Sequence, residues 1–295
     1  QTDIEMVDGM VKKRRCTAIW HDGIHDLLKD HTIQGLCLFP GAAYIEFALA
    51  AMCATGSENA EDGVELQNIS FVEPFVMELG VQLQCVISED AGIEFWPVST
   101  SSRVCSRIER ASIVDATTVL LLQEDQQLGA VRTRCPIRFE GVSRAYNHPG
   151  TPMGCFQTVS EIYHNIAQDE ILGTVTVPPE SNHYHWHPTM LDGVVQVPIL
   201  LNFVLNEFDT GHHSFVPVFI RHVEMRQSFG RGSGTTRTSD ANLRNTMHIL
   251  AHVKVVHVDA KARVYDYTIL DEFSPLTSPM TMRGFRTARI APQPP

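Results

Sequence analysis

Two long apolar segments, one in each half of the chain, predict two buried helices. The first begins at Pro40-Gly41, runs to about Ala54 and is apolar nearly all round, which is typical of a helix with no solvent-facing side. Proline suits a first helical turn, because its missing N–H is not needed there. The second helix begins at Pro188 and contains Pro198, which we expect to kink or break it.

Strands are predicted after each helix. Apolar and polar residues alternate over residues 81–88 and 247–255, which is the period-two pattern of a strand with one buried face. Less regular patterns predict further strands over residues 69–77, 93–98, 215–225 and 262–270. Pro74 in the first of these indicates an edge or a break.

The chain thus divides into two similar halves. Residues 1–143 and 153–295 each hold one apolar helix and several strands, and residues 144–152, rich in proline and glycine, are the linker candidate. A strand-rich chain with only two long helices favours an α+β fold over a doubly wound parallel sheet. No Gly-rich phosphate loop follows a strand, so nucleotide binding has no support.

Composition narrows the partners of the chain. The 295 residues are 43% hydrophobic and carry a formal net charge of −11, which indicates a globular fold and disfavours nucleic acid as a partner. The apolar stretches are too short to span a membrane. Seven scattered cysteines without a CxxC pair are typical of a reducing compartment, so we expect a cytoplasmic location.

His31 is the first candidate for chemistry. It precedes an extended segment that leads into the first helix, whose start presents free backbone N–H groups near the imidazole. Such groups polarise a carbonyl oxygen that gains negative charge. A base beside them is what removal of a proton α to a thioester requires. A purely structural histidine explains the residue equally well at this point.

Asp192 is the second candidate. It lies in an otherwise apolar stretch, where burial would raise the pKa of its carboxyl group and suit it to act as a general acid. Gln196 shares its helical face and is placed to orient the carboxyl group or a substrate hydroxyl. The alternative is an aspartate that only complements the helix dipole.

Together the two runs resemble the signature motifs of polyketide-synthase dehydratase domains. The first reads His31-x-x-x-Gly35-x-x-x-x-Pro40 followed by Gly41-Ala42-Ala43-Tyr44, and the second reads His187-Pro188-x-x-Leu191-Asp192-x-x-x-Gln196. Two shorter segments are also similar to the family: Val72-Glu73-Pro74-Phe75 and Phe215-Val216-Pro217. The resemblance covers most of the chain, and the two long motifs are specific only in combination.

The resemblance implies a double hot-dog fold, in which two antiparallel sheets each wrap around a long central helix and join side by side. It also implies that His31 removes the α-proton of a β-hydroxyacyl thioester while Asp192 protonates the departing hydroxyl group. The amide of Gly41 would bind the thioester oxygen, and Gln196 and His187 would contact the substrate. The product would be an α,β-unsaturated acyl thioester.

Partners follow from the same resemblance. The acyl chain would arrive on the phosphopantetheine arm of an acyl carrier protein, so the domain itself is expected to bind no cofactor and no metal. Neighbouring synthase domains are expected partners, and a homodimer is an expectation that the residues leave open. Because the chain is acidic, docking would need a local basic patch, for which Arg221 and Arg226 are the candidates.

One family segment is absent. Many members carry Tyr-Gly-Pro before a Phe at the start of the second half, where this chain reads Pro152-Met153-Gly154-Cys155-Phe156-Gln157. Either another donor replaces the tyrosine hydroxyl or the reaction differs. A double-bond isomerase, a cyclase (including the product-template type) and a non-catalytic acyl-binding module therefore remain alternatives.

A run of alternate histidines offers a competing site. His183, His185 and His187 would share one face of a strand, and three such residues are able to hold zinc. A loop leading into the second helix is the preferred interpretation.

Overall fold

The structure is a computed structural model in which each half of the chain holds one long helix and several strands. It describes residues 2–7, 10–18, 27–33, 35–56, 63–77, 82–88, 90, 92–98, 103–114, 126–147, 151, 154–178, 184–205, 214–226, 248–259, 261–270 and 278–290. The strands are β1 (Thr2–Val7), β2 (Met10–Ala18), β3 (Thr32–Ile33), β4 (Leu36–Cys37), β5 (Gly63–Phe71), β6 (Leu83–Ser88), β7 (Ile93–Pro97), β8 (Ser106–Val114), β9 (Ile137–Arg138), β10 (Val159–His164), β11 (Glu170–Thr176), β12 (Ser214–Arg226), β13 (His248–Val258), β14 (Ala262–Leu270) and β15 (Met280–Ile290). The α-helices are α1 (Gly41–Gly56), α2 (Leu128–Arg134), α3 (Val142–Ala145) and α4 (Pro188–Leu205).

One antiparallel sheet of 13 strands runs through both halves, in the order β1-β2-β6-β7-β8-β5-β12-β15-β14-β13-β11-β10-β9. The halves meet where β5 pairs with β12, with Leu66 opposite Val223 and Ile69 opposite Ile220. These four side chains are buried. The sheet of each half therefore continues into the other, and its inner face covers a helix, which confirms the α+β double hot-dog fold.

The predicted helices are confirmed as α1 and α4, which contact each other in the middle of the structure. Of the kink or break expected at Pro198, the break does not occur, because α4 continues through it to Leu205, and the kink stays a prediction. A proline inside a helix costs about 3 kcal/mol, and the packing of α4 on β10, β11 and β13 offsets that cost. The Asn202 side-chain amide donates a hydrogen bond to the Pro198 carbonyl at 2.6 Å.

The predicted strands are confirmed with one difference. The strand expected over residues 69–77 lies instead at Gly63–Phe71, and the segment with Pro74 leaves the sheet. Beyond it, Val76 forms an isolated bridge with Leu38. Proline lacks the N–H that a sheet interior requires, which explains why the strand ends where it does.

The segment before the expected linker packs on the second half. Helix α2 and Cys135 contact a small cluster on the outer face of that half, formed by Leu172, Leu250 and Leu270. Strand β9 pairs with β10 at the sheet edge. The linker predicted at residues 144–152 overlaps the end of α3, and residues 148–150 and 152 lie outside the described residues. The domain boundary therefore stays a prediction.

Two glycines let α4 lie directly on the sheet. A Cβ atom at Gly173 on β11 would overlap the Val197 side chain, and one at Gly193 on α4 would overlap Thr158 Oγ1. Any larger side chain would push the helix away from the strands. This close approach fixes the height of α4, and of Asp192 beside Gly193, above the sheet.

We predict that Gly173→Ala destabilises the fold by about 1–3 kcal/mol, the usual cost of overpacking a core. The matched control is Gly129→Ala on α2, where an added Cβ meets nothing within 4 Å. That change should be neutral or stabilise by up to about 1 kcal/mol, because alanine is the better helix former. Urea unfolding of both variants measures the difference. Equal stability of the two variants would contradict the close approach of α4.

Candidate active site

His31 is held by the hairpin β3–β4. The Leu38 backbone N–H donates to the His31 carbonyl at 3.1 Å, and His31 Nδ1 lies 2.8 Å from the Leu38 carbonyl oxygen. A carbonyl oxygen only accepts, so Nδ1 carries the proton of the neutral ring. Nε2 then has a free lone pair, which makes it the basic atom of His31.

Asp192 faces that basic atom from the other half of the chain. Its Oδ1 lies 3.7 Å from His31 Nε2, and both residues are only 6% exposed. Burial raises the pKa of the Asp192 carboxyl group, and nearby His31 and Gln196 offset the shift only in part. A carboxyl group that keeps its proton to higher pH is suited to act as an acid.

Gln196 decides which carboxyl oxygen is free. Its Nε2 donates to Asp192 Oδ2 and, at 3.2 Å, to the Phe156 carbonyl oxygen. These two acceptors fix the orientation of the amide, and the bond to Oδ2 leaves Oδ1 as the oxygen that faces His31. Gln196 Oε1 is buried and has no hydrogen-bond partner among the described residues.

Phe156 contacts both His31 and Gln196, the residue that binds Asp192. Its ring centroid lies 5.0 Å from that of His31 at a tilt of 58°, and its carbonyl receives the hydrogen bond from Gln196. The side chain is fully buried. His31, Phe156, Gln196 and Asp192 therefore form a closed ring of contacts in which neither reactive side chain moves alone.

The turn that carries Phe156 stands where the family has Tyr-Gly-Pro. It is a short 3₁₀ helix, Gly154–Phe156, whose Cys155 N–H donates to Asp30 Oδ2 at 3.3 Å. Gly154 has a φ of +57°, and a Cβ there would overlap the Asp30 carboxylate. Only glycine fits both demands. This contact joins the second half to the residue directly before His31.

A tyrosine hydroxyl does lie near Asp192, but it comes from Tyr146. That hydroxyl oxygen accepts a hydrogen bond from the Val159 N–H at 2.9 Å. Burial raises the pKa of Tyr146, backbone hydrogen bonds lower it in part, and the negative charge of Asp192 raises it further. Sequence reasoning missed Tyr146 because it falls in the predicted linker, where no pattern marks it.

Gly41 lies where the two halves meet. It begins α1, so its N–H lacks an acceptor inside the helix, and it is half-buried. A Cβ there would stand 3.2 Å from the Phe71 ring and 3.6 Å from Pro217 Cγ. The helix start thus packs between β5 and β12, and binding of a thioester oxygen by the Gly41 amide stays a prediction.

His187 is engaged in the start of α4. Its Nδ1 accepts a hydrogen bond from the Thr189 N–H at 3.3 Å and lies 2.8 Å from Thr189 Oγ1. Its carbonyl oxygen accepts from the N–H groups of Met190 and Leu191. The residue is buried at 2% exposure, so it caps the helix that carries Asp192. Its contact with substrate stays a prediction.

The alternate histidines do not lie on a strand where the structure describes them. Residues 184–186 form bends that lead into α4, and His183 lies outside the described residues. Within the described ranges, no group of three or more His, Cys, Asp or Glu side chains lies close enough together to hold a metal ion.

The two arginines lie apart from the buried pair. Arg221 is exposed on β12 and packs over Gly284, whose φ is +63°. Arg226 ends β12, and its side chain lies outside the described part of the structure. The structure therefore brings together His31, Asp192 and Gln196, and leaves the docking role of the arginines as a prediction.

Comparison with known proteins identifies two matching family models. Residues 6–103 match a model described as "Polyketide synthase dehydratase domain", and residues 134–272 match one described as "Polyketide synthase dehydratase N-terminal domain". Between them the two models match most of the chain.

Curated relatives are much longer than this chain. Polyketide synthase PksL of Bacillus subtilis is 25% identical over 192 residues, which are 58% of this chain and 4% of PksL. The highly reducing polyketide synthase pkhB of Emericella nidulans is 26% identical over 147 residues, which are 46% of this chain and 6% of pkhB. The matched region is thus a small part of each synthase.

Solved structures show the same fold. The dehydratase domain from the CurJ module of curacin polyketide synthase has a TM-score of 0.74 at 17% identity, with 98% of each chain covered. The corresponding CurK domain has a TM-score of 0.72 at 17% identity, covering 98% of this chain and 97% of the other. GphF dehydratase 1 has a TM-score of 0.72 at 16% identity, with 95% of each chain covered.

The raised pKa of Asp192 predicts that Asp192→Asn stabilises the fold as the pH increases. A group whose pKa is higher in the folded state than in the unfolded state contributes its full stabilisation below the unfolded-state pKa. This contribution is lost as the pH rises through the folded-state pKa. Asparagine still accepts from Gln196 but has no charge to bury. The difference in free energy of unfolding, variant minus parent, should therefore increase from acidic to alkaline pH.

Urea unfolding across this pH range measures the difference. Asp259→Asn is a control of opposite sign, because backbone hydrogen bonds, chiefly from Lys261, together with His257 lower the pKa of Asp259 to about 2. A difference between Asp192→Asn and the parent that does not change with pH would contradict the raised pKa.

Proposed function

Because this chain belongs to the polyketide synthase dehydratase family, we propose that it removes water from a β-hydroxyacyl thioester to leave an α,β-unsaturated acyl thioester. The observation that carries the proposal is the approach of His31 Nε2 to Asp192 Oδ1 at 3.7 Å. Both atoms belong to buried side chains. The bond from Nδ1 to the Leu38 carbonyl leaves the Nε2 lone pair free to act as a base, and burial raises the pKa of Asp192, which suits it to act as an acid.

His31 acts on the carbon next to the thioester. Its Nε2 removes the α-proton while the Nδ1–H stays bound to the Leu38 carbonyl, which keeps the ring in one orientation and stabilises the imidazolium ion that forms. The electrons of the broken C–H bond shift toward the thioester carbonyl. The Gly41 N–H at the start of α1 is positioned to stabilise the negative charge on that oxygen.

Asp192 acts on the neighbouring carbon. Its Oδ1–H gives its proton to the β-hydroxyl group, which leaves as water while the carbon–carbon double bond forms. Gln196 holds the carboxylate that remains through Oδ2. The imidazolium ion and the carboxylate then face each other, and return of the proton from Nε2 to Oδ1 restores the starting state. Apart from the departure of water, these reaction steps transfer only protons, so the residues named above supply every group that the reaction needs.

Variants of related dehydratase domains are consistent with these roles. A His-to-Phe variant of the CurJ dehydratase and an Asp-to-Asn variant of the CurK dehydratase are both described as inactive.

The two curated relatives described above are synthases of which the matched region is 4–6%. We therefore infer that the substrate is carried by an acyl carrier protein and that the chain works beside other synthase domains. No helix in the described residues is long and apolar enough to cross a membrane.

We predict that His31→Ala and Asp192→Asn each slow single-turnover conversion of a β-hydroxyacyl pantetheine thioester by roughly 10²–10⁴-fold, the usual contribution of a general acid or base. Mass spectrometry should show that the parent's product has lost one water. The matched control is the surface pair His257–Asp259, whose Nε2 and Oδ2 are 3.0 Å apart. His257→Ala and Asp259→Asn should keep the parental rate.

Two results would contradict the proposal. Parental rates in the His31 and Asp192 variants would show that these residues are not the base and acid. A product with unchanged mass and a shifted double bond in a suitable enoyl substrate, without any loss of water from the hydroxyacyl substrate, would indicate an isomerase.

We predict further that Arg221→Glu raises the Michaelis constant for carrier-bound substrate by roughly tenfold, or about 1.4 kcal/mol of binding free energy. The Michaelis constant for the free pantetheine thioester should not change, because Arg221 is exposed and apart from the buried pair. Arg132→Glu on α2 controls for the added negative charge. An unchanged constant for the carrier-bound substrate would exclude Arg221 from docking.

A further inference from the structure

Glu46 is a buried acidic residue in the second turn of α1. It is 7% exposed, and the motifs and the reaction do not involve it. One carboxylate oxygen accepts a hydrogen bond from the His185 N–H at 2.9 Å, and the other accepts from the Trp186 N–H at 2.7 Å. The carboxylate thus binds two consecutive backbone groups from the opposite half of the chain.

These bonds are of a strong kind. Hydrogen bonds to an ionised acceptor are shorter and roughly twice as strong as neutral ones. A buried carboxylate is also costly without such partners. Glu46 therefore favours the one arrangement in which both N–H groups reach it, and the fully buried Trp186 side chain packs this turn into the core.

The bound turn leads directly into the acid. Trp186 is followed by His187, which caps α4, and α4 begins at Pro188 and carries Asp192 one turn later. A helix is stiff over one turn, so a shift at its start is passed on to Asp192. Glu46 thus acts on the position of the acid through the helix start.

The helix that carries Glu46 also leads back toward the base. Helix α1 begins at Gly41, directly after the segment in which Leu38 bonds to both the ring and the backbone of His31. Contacts therefore run from His31 through Leu38 and α1 to Glu46, and from Glu46 through the turn to α4. They connect the base and the acid by a route that does not include Phe156 or Gln196.

We infer that Glu46 is a positioning residue that sets the separation of His31 and Asp192 by holding the start of α4 on α1. Its effect on turnover rests on the proposed dehydration, whereas its effect on the contact between the two side chains does not. Glu46 touches neither substrate nor the reacting atoms, so its removal should impair catalysis more than binding.

The test variant is Glu46→Gln. Glutamine keeps the shape but has one acceptor oxygen, and its amide N–H₂ would face an N–H group of the turn. We expect kcat for the pantetheine substrate to fall roughly 10–100-fold, because a misplacement of about 1 Å costs up to 10²-fold. The Michaelis constant should stay within about twofold.

A second readout needs no turnover. His31 lowers the pKa of Asp192, so His31→Gln should raise the Asp192 pKa, as followed by carbon-13 NMR of labelled aspartate. In the Glu46→Gln background the same His31→Gln change should raise it less, because the two side chains no longer approach each other as closely. This double-mutant cycle measures the contact itself.

The matched control is Glu65→Gln on the outer face of β5. Glu65 also accepts hydrogen bonds, from Gln67 Nε2 at 2.8 Å and His222 Nε2 at 2.9 Å, but it lies away from the pair. The Glu65→Gln substitution should leave kcat and the His31–Asp192 coupling unchanged. If Glu46→Gln does not fold, Glu46→Asp, which keeps the charge and shortens the reach, replaces it in both measurements.

The outcomes separate the two proposals. A weakened coupling together with a lower kcat supports the inference. A weakened coupling in a chain that shows no dehydration supports the positioning role and overturns the proposed function. An unchanged coupling and an unchanged kcat per folded molecule, even with lower stability, overturn the inference, because Glu46 would then be only structural.

Discussion

The buried approach of His31 Nε2 to Asp192 Oδ1, at 3.7 Å, is the constraint on which the rest of the structure depends. Burial raises the pKa of the Asp192 carboxyl group, and His31 and Gln196 offset that shift only in part. The Leu38 carbonyl fixes the proton of His31 on Nδ1, and Gln196 occupies Asp192 Oδ2. His31 Nε2 and Asp192 Oδ1 are thus the two atoms left to face each other.

The fold maintains this arrangement from several directions. The β5–β12 pair makes one sheet of two halves, and the close approach of α4 to β10 and β11 at Gly173 and Gly193 sets the height of the acid. Phe156 packs on the base and binds the residue that orients the acid. The β5–β12 pair and the His31–Phe156 contact join the two halves, so the site forms only when both halves are folded together.

Local patterns in the sequence were enough to predict the helices that begin at Gly41 and Pro188 and most of the strands, whereas the pair His31 and Asp192 was predicted only from the resemblance of the two motifs to a known family. They were not enough for contacts between distant segments. In the sequence, Glu46 is a single acidic residue in an apolar helix. No neighbouring position in the sequence indicates that its partners are the N–H groups before α4. Tyr146 was hidden in the predicted linker. Of the kink or break expected at Pro198, the break was wrong because tertiary packing outweighs local preference.

The protons of the pair provide the most direct test. Neutron diffraction from crystals grown in heavy water at the pH of maximal turnover would locate them. The account predicts deuterium on His31 Nδ1 and on Asp192 Oδ1, with His31 Nε2 bare. Deuterium on Nε2 with both carboxyl oxygens of Asp192 bare would contradict it, because the resting site would then hold an ion pair with neither a base nor an acid.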